Sequence, residues 1–208
     1  VLTASLVVSI PVAIGFGPVH IDAGTVARIL VHHAFDAGPA DWTAAQGNIV
    51  WRLRVPRVLL GACVGAALSV AGVAVQALVR NALADPYLLG VSSGASAGAA
   101  ATILFGLGTG VVGLTGSAFA GALAAVVLVF AVAHSGGALI GSRLVFAGIS
   151  VAFALTALTN FLIFASNSRD GARAVLFWTL GSLGRADWTT LPIAAAAALG
   201  ITVLMAAQ

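Results

Sequence analysis

Apolar positions in this chain come in long uninterrupted runs, not in alternation. Against a hydrocarbon core about 30 Å thick, six runs read as membrane spans: about residues 1–16, 58–79, 87–107, 111–133, 144–165 and 190–206. Their continuity, and their richness in Ala, Leu and Gly, argue against a β-barrel, whose strands alternate. Only helices then satisfy every backbone group in lipid. The predicted fold class is therefore all-α, a polytopic transmembrane helical bundle. The first run is short enough to be a signal-peptide core, but no basic segment precedes it, so it reads as a trimmed first helix. The last run stops at Gln208 without a polar exit loop. Residues 1–208 are thus expected to form a single transmembrane domain, the N-terminal part of a longer chain.

Composition sharpens this picture. Of 208 residues, 61% are hydrophobic and 7% charged, with a mean hydropathy of +1.12; a soluble domain carries about 25% charged residues. A soluble enzyme is excluded. Every basic residue is Arg and every acidic residue Asp. Without Lys there is no phosphate-cradling G-x-x-x-x-G-K-[ST] loop, so ATP hydrolysis by that route is excluded, as is Schiff-base chemistry. The single Cys63 permits no intrachain disulfide and no Cys cluster. The net charge of +3 comes from a few Arg in loops and not from a basic tract, so no nucleic-acid partner is expected.

Small residues recur at helical spacing: Gly61, Gly65, Ser69, Gly72 and Gln76 share one face, and Gly94–Gly98 and Gly137–Gly141 form two further pairs. Such faces let helix backbones approach closely in lipid; a translocation wall is their second use. Polar residues inside the spans are few: Gln76, Thr156, Thr159 and Asn160. They serve packing hydrogen bonds or a wet cavity. No Asp, Arg or His falls in mid-span, which weighs against a proton relay. His32 and His33 are adjacent, read as loop residues, and make a poor chelate, so no metal site is expected. Ser92, Ser93 and Ser96 lack a His or Asp partner in sequence, so no catalytic residue is assigned. No cofactor is expected.

Between the second and third runs, Arg80-Asn81-Ala82-Leu83-Ala84-Asp85-Pro86 predicts a rigid reversal. Pro86 drives Asp85 out of the helical region, while Asn81 and Asp85 can bond their own local backbone.

Taken in order, Arg52-Leu53-Arg54-Val55-Pro56-Arg57, the Gly-rich run from Gly65 to Gly72 with Gln76, the Arg80–Pro86 turn, Leu88–Ala95 and Phe177-Trp178-Thr179-Leu180-Gly181-Ser182-Leu183 before Trp188 resemble the FecCD family. Its members are permease subunits of the binding-protein-dependent ABC importers of iron-siderophores, haem and vitamin B12. The resemblance runs from Ile49 to Gln208, with Ala82 standing where the family usually has Pro. It implies a type II importer permease of ten helices, of which this chain supplies the first six. It also implies cytoplasmic ATPase subunits, an extracytoplasmic substrate-binding protein, a second permease subunit (homo- or heterodimer) and the plasma (inner) membrane of a prokaryote.

The implied cargo is an iron complex, with a ferric siderophore preferred and haem or vitamin B12 as alternatives. A non-transporting scaffold or channel is the alternative of another class, and an intramembrane enzyme finds no paired acids. The family further implies a cavity lined by the fifth span, where Ser150, Thr156, Thr159 and Asn160 are the polar candidates. It assigns Arg54 and Arg57 to docking the binding protein. Arg28, Arg52, Arg54, Arg57, Arg169, Arg173 and Arg185 fall on one side of the membrane, and Arg80 and Arg143 on the other. The positive-inside bias would place the richer side in the cytoplasm. Family topology places it outside, where forked guanidinium groups can receive acidic knobs, and the outward placement is preferred.

Overall fold

Backbone N–H and C=O groups in lipid must find partners within their own segment, and among the described residues every regular element is helical. The computed structural model describes residues 2–106, 110–134 and 140–207. The elements are α1 (Leu2–Gly15), α2 (Ala23–Phe35), α3 (Ala44–Gly47), a π-helical segment (Asn48–Arg54), α4 (Val55–Val79), a 3-10 turn (Pro86–Leu89), α5 (Val91–Phe105), α6 (Gly110–His134), α7 (Gly141–Ala165), α8 (Arg169–Leu180) and α9 (Leu191–Ala206). Among the described residues, three continuous helical stretches are long and apolar enough to cross a membrane: Ala44–Val79, Gly110–His134 and Gly141–Ala165. Shorter apolar helices lie at Ala4–Gly15, Val91–Phe105 and Leu191–Ala206. Each apolar run thus contains a helix.

Besides α3 and the π-helical segment, which lead into α4, two longer helices, α2 and α8, fall where the hydrophobic pattern leaves loops. In α2, the Asp22 carboxylate accepts from the N–H groups of Gly24 (2.9 Å) and Thr25 (3.3 Å), capping the first turn. In α8, the Ser168 hydroxyl accepts from the Gly171 N–H at 3.0 Å, with Asp170 beside the positive helix end. Both are amphipathic and too short to register against a span of about 20 apolar residues. His32 and His33 therefore stand on a helix and not in a loop, which corrects the expectation.

The chain divides into two compact units, Val1–Val70 with Leu183–Gln208, and Ala71–Ser182. In the first, Ile14, Ile21, Val26, Ile29, Val50 and Val55 form a buried apolar cluster. In the second, Val75, Ala84, Leu89, Val129, Ala133, Leu144, Ala147 and Val151 form another.

Helices of the second unit meet backbone to backbone. A Cβ added to Gly94 would strike the Gly121 carbonyl and lie 2.6 Å from the Ala125 Cβ; one on Gly98 would strike the Ser117 carbonyl, and one on Gly121 the Gly94 carbonyl. A Cβ on Gly148 of α7 would strike the Leu88 carbonyl, and one on Gly141 would lie 2.6 Å from the Val79 carbonyl. Gly94 and Gly98 thus serve close packing. Gly137 lies outside the described residues. The long small-residue face of α4 is less crowded: nothing lies within 4 Å of a Cβ built on Gly65, and one on Gly72 would meet only the Pro86 side chain, at 3.9 Å.

The contrast gives a direct test. Gly98→Ala should destabilise the protein by about 1–3 kcal/mol through overpacking. Gly65→Ala should be neutral, or stabilising by up to about 1 kcal/mol through helix propensity. Thermal unfolding in detergent, followed by intrinsic fluorescence, checks both. Equal midpoints would remove the backbone contact between α5 and α6.

Candidate functional site

Within the second unit, α5, α7 and α8 enclose a cavity of about 240 Å³. Its polar wall is Ser93 and Ser96 from α5, Thr156, Thr159 and Asn160 from α7, and Thr179 from α8; Ile163, Val175 and Leu176 complete it. No lining residue carries a charge. The one-turn spacing of Thr156, Thr159 and Asn160 places them on one face of α7, and Ser93 and Ser96 repeat that spacing on α5.

The hydroxyl protons of this wall are already committed. Ser93 donates to the Gly90 carbonyl (3.2 Å), Ser96 to Ser92 (2.8 Å), Thr156 to Ala152 (2.8 Å), Thr159 to Leu155 (2.9 Å) and Thr179 to Leu176 (2.8 Å). Each bond closes within its own helix and leaves the oxygen lone pairs as acceptors. The Asn160 carboxamide supplies both a donor and an acceptor. A solute here would meet an uncharged surface that chiefly accepts hydrogen bonds.

Of the four polar positions expected on the fifth span, Thr156, Thr159 and Asn160 come together. Ser150 lies elsewhere on α7, exposed, with its hydroxyl donated to the Phe146 carbonyl at 2.8 Å. Ser93, Ser96 and Thr179 join the wall unannounced. Their signal in the sequence is the one-turn spacing of the two serines, which gives them a common helix face.

The turn before the 3-10 element has Asp85 in extended backbone (φ −112°, ψ 139°), with Pro86 opening the next element. Asn81 Oδ1 accepts from the Leu83 N–H (2.9 Å) and Asp85 Oδ1 from the Tyr87 N–H (2.7 Å). Arg80 adopts a left-handed conformation at φ 56°.

Arg54 departs from its expected place. Its side chain is only 7% exposed. One guanidinium nitrogen donates to the Ile14 and Gly15 carbonyls at 3.1 and 3.0 Å, and a second donates to the Val19 carbonyl. The cation therefore caps the negative end of α1. Gly17 is what lets it fit, since a Cβ there would stand 2.6 Å from Arg54 Nη2. A guanidinium held this way is not available as a fork for an acidic partner. That corrects the docking expectation for Arg54. Arg57, on the first turn of α4, is exposed, as is Arg52 in the π-helical segment.

Among the described residues, helices alone, three of them long and apolar enough to cross a membrane, define a multi-pass helical membrane protein with an uncharged polar cavity. Residues 5–208 match the model of the FecCD transport family, and the chain belongs to that family. It is 37% identical over 190 residues to YvrB of Bacillus subtilis (strain 168), an uncharacterized ABC transporter permease protein, covering 88% of this chain and 53% of that one. To the vitamin B12 import system permease protein BtuC of Salmonella newport (strain SL254) it is 40% identical over 154 residues, covering 72% and 46%. A solved metal-chelate type ABC transporter in an inward-facing conformation superposes with a TM-score of 0.72 at 27% identity, covering 91% of this chain and 55% of that one. The chain thus spans about half the length of the curated relatives it matches.

Removing the Arg54 cap should be costly. Arg54→Ala would leave the α1 carbonyls unpaired and lower stability by about 3 kcal/mol, while Arg54→Lys, without the planar fork, should restore only part of the loss. Urea or thermal unfolding of the purified variants reads this out. A wild-type midpoint for Arg54→Ala would show that the cap contributes nothing.

Proposed function

We propose that this chain is part of the membrane-spanning permease subunit of an ATP-driven, binding-protein-dependent importer of metal chelates. ATP hydrolysis belongs to separate cytoplasmic subunits, and cargo arrives on an extracytoplasmic binding protein that meets the exposed Arg57. A second permease subunit completes the pathway. The observation that carries the reading is the match to the FecCD family over nearly the whole chain, together with the polar cavity between α5, α7 and α8.

The cavity wall also bears on the cargo. Acceptor oxygens without charge suit a chelate that shows N–H donors and little net charge at its rim. A ferric siderophore built on an amide backbone meets that description. So does vitamin B12 with its ring of carboxamides, a second reading favoured by the likeness to BtuC. A multiply anionic catecholate complex would find no cation in this wall.

Proteoliposomes containing the full-length permease, its ATPase and its binding protein should take up an iron hydroxamate or cobalamin in an ATP-dependent manner, well ahead of an iron catecholate. No uptake of any metal chelate would overturn the transporter reading, and preference for the catecholate would overturn the argument from the wall. In the same membranes, Thr156→Cys and Asn160→Cys should react with a water-soluble thiol reagent more readily than Leu158→Cys. Uniform protection would remove α7 from the pathway.

A further inference from the structure

The first unit holds a second and larger cavity, about 700 Å³, where the π-helical segment meets the turn that precedes α9. Its wall is aromatic. The His33 ring stacks on Trp51 at 4.4 Å between centroids, and Trp51 lies 4.8 Å from Trp188. The Trp188 indole N–H donates to the Trp51 carbonyl at 2.9 Å, which ties the α9 turn to the π-helical segment. Trp42 closes a further side, so three of the chain's four Trp residues line one cavity. The cavity sits where α4 and α9 begin, and Trp gathered at helix ends marks the membrane–water interface.

Two opposite charges share this cavity. Arg52 is exposed into it, and Asp187 lines it from the turn. Asp187 Oδ1 accepts from the N–H and hydroxyl of both Thr189 and Thr190 at 2.7–3.0 Å. Those hydrogen bonds, the Thr189 hydroxyl foremost, lower the Asp187 pKa to about 2 and fix a negative charge at any physiological pH. Among the described residues the ion pair is Arg28 with Asp41, so Arg52 and Asp187 face the cavity without pairing with each other.

A positive fork, a fixed carboxylate and an aromatic wall between them complement one ligand chemistry: a phosphodiester joined to an ammonium. Arg52 suits the phosphate. Asp187 and the indole faces suit the ammonium. An acidic protein segment would satisfy Arg52 but be repelled by Asp187, and an anionic lipid would meet the same repulsion. Beyond Trp188, α9 exposes Ile193, Leu199 and Val203, which give acyl chains a surface to follow.

We propose that this cavity binds the headgroup of a zwitterionic glycerophospholipid bearing a primary ammonium, with Arg52 on its phosphate and Asp187 on its ammonium. The proposal rests on the chain's placement in a membrane and not on what it transports.

Native mass spectrometry of the full-length permease in mild detergent tests it, using added phosphatidylethanolamine, phosphatidylcholine and phosphatidylglycerol. Phosphatidylethanolamine should be retained about tenfold more than phosphatidylglycerol. It should also exceed phosphatidylcholine, whose trimethylated nitrogen cannot donate to Asp187. Arg52→Ala and Asp187→Asn should each lower its retention about tenfold, and Arg52→Lys should recover part of it. The lipid comparison needs no variant, so a misfolded mutant cannot obscure the answer. Equal retention of the three lipids by the wild-type protein would overturn the proposal. So would unchanged retention in both Arg52→Ala and Asp187→Asn. An Arg52→Ala that loses affinity for the binding protein in detergent, with lipid retention intact, would assign the cavity to protein docking instead. Failed transport with intact lipid selectivity would count against the importer reading alone.

Discussion

Helices in lipid gain nothing from hiding apolar side chains from one another, because the tails around them are as apolar as they are. What holds the second unit is direct backbone contact, α5 against α6 through Gly94, Gly98 and Gly121, and α7 against the Pro86–Leu89 turn through Gly148. The polar cavity depends on that contact. Ser93 and Ser96 bracket Gly94 and precede Gly98 on the same helix, so α5 seated on its glycines holds its hydroxyls against α7. A bulkier residue at those glycines would move the wall as well as the packing.

Charge is handled with similar economy. Nine Arg residues serve the whole chain, and three near the start of α4 have separate surroundings. Arg54 caps α1 in a nest of carbonyls, Arg52 opens into the aromatic cavity, and Arg57 faces outward. The burial of Arg54 needs no carboxylate, since the negative end of a helix provides the opposing field.

Much of the fold is legible in the residues. Each apolar run contains a helix, Pro86 ends its turn with Asp85 extended, and Gly94 with Gly98 marks a close helix crossing. The short amphipathic helices α2 and α8 are not, because an element that buries only one stripe lacks the long apolar run that marks a span. The cavity was half legible. Thr156, Thr159 and Asn160 stand out as polar residues in an apolar run, but Ser93, Ser96 and Thr179 gain meaning only once three helices converge. Nor does the run Arg52–Arg57 reveal which guanidinium will be taken inward. That choice belongs to the carbonyls of Ile14, Gly15 and Val19, 35 to 40 residues earlier in the chain, and long-range partners of this kind leave no local pattern.

Hydroxyls that give their protons to their own helices have a kinetic side. For a solute crossing such a wall, no proton must be released before it enters or recovered after it leaves, and each contact formed is one that a neighbouring oxygen can replace. The free-energy profile along the wall is correspondingly shallow, without deep wells to trap the traveller or high steps to stall it. Such a wall sorts solutes coarsely, by charge and by the donors they show, and holds none of those it admits tightly.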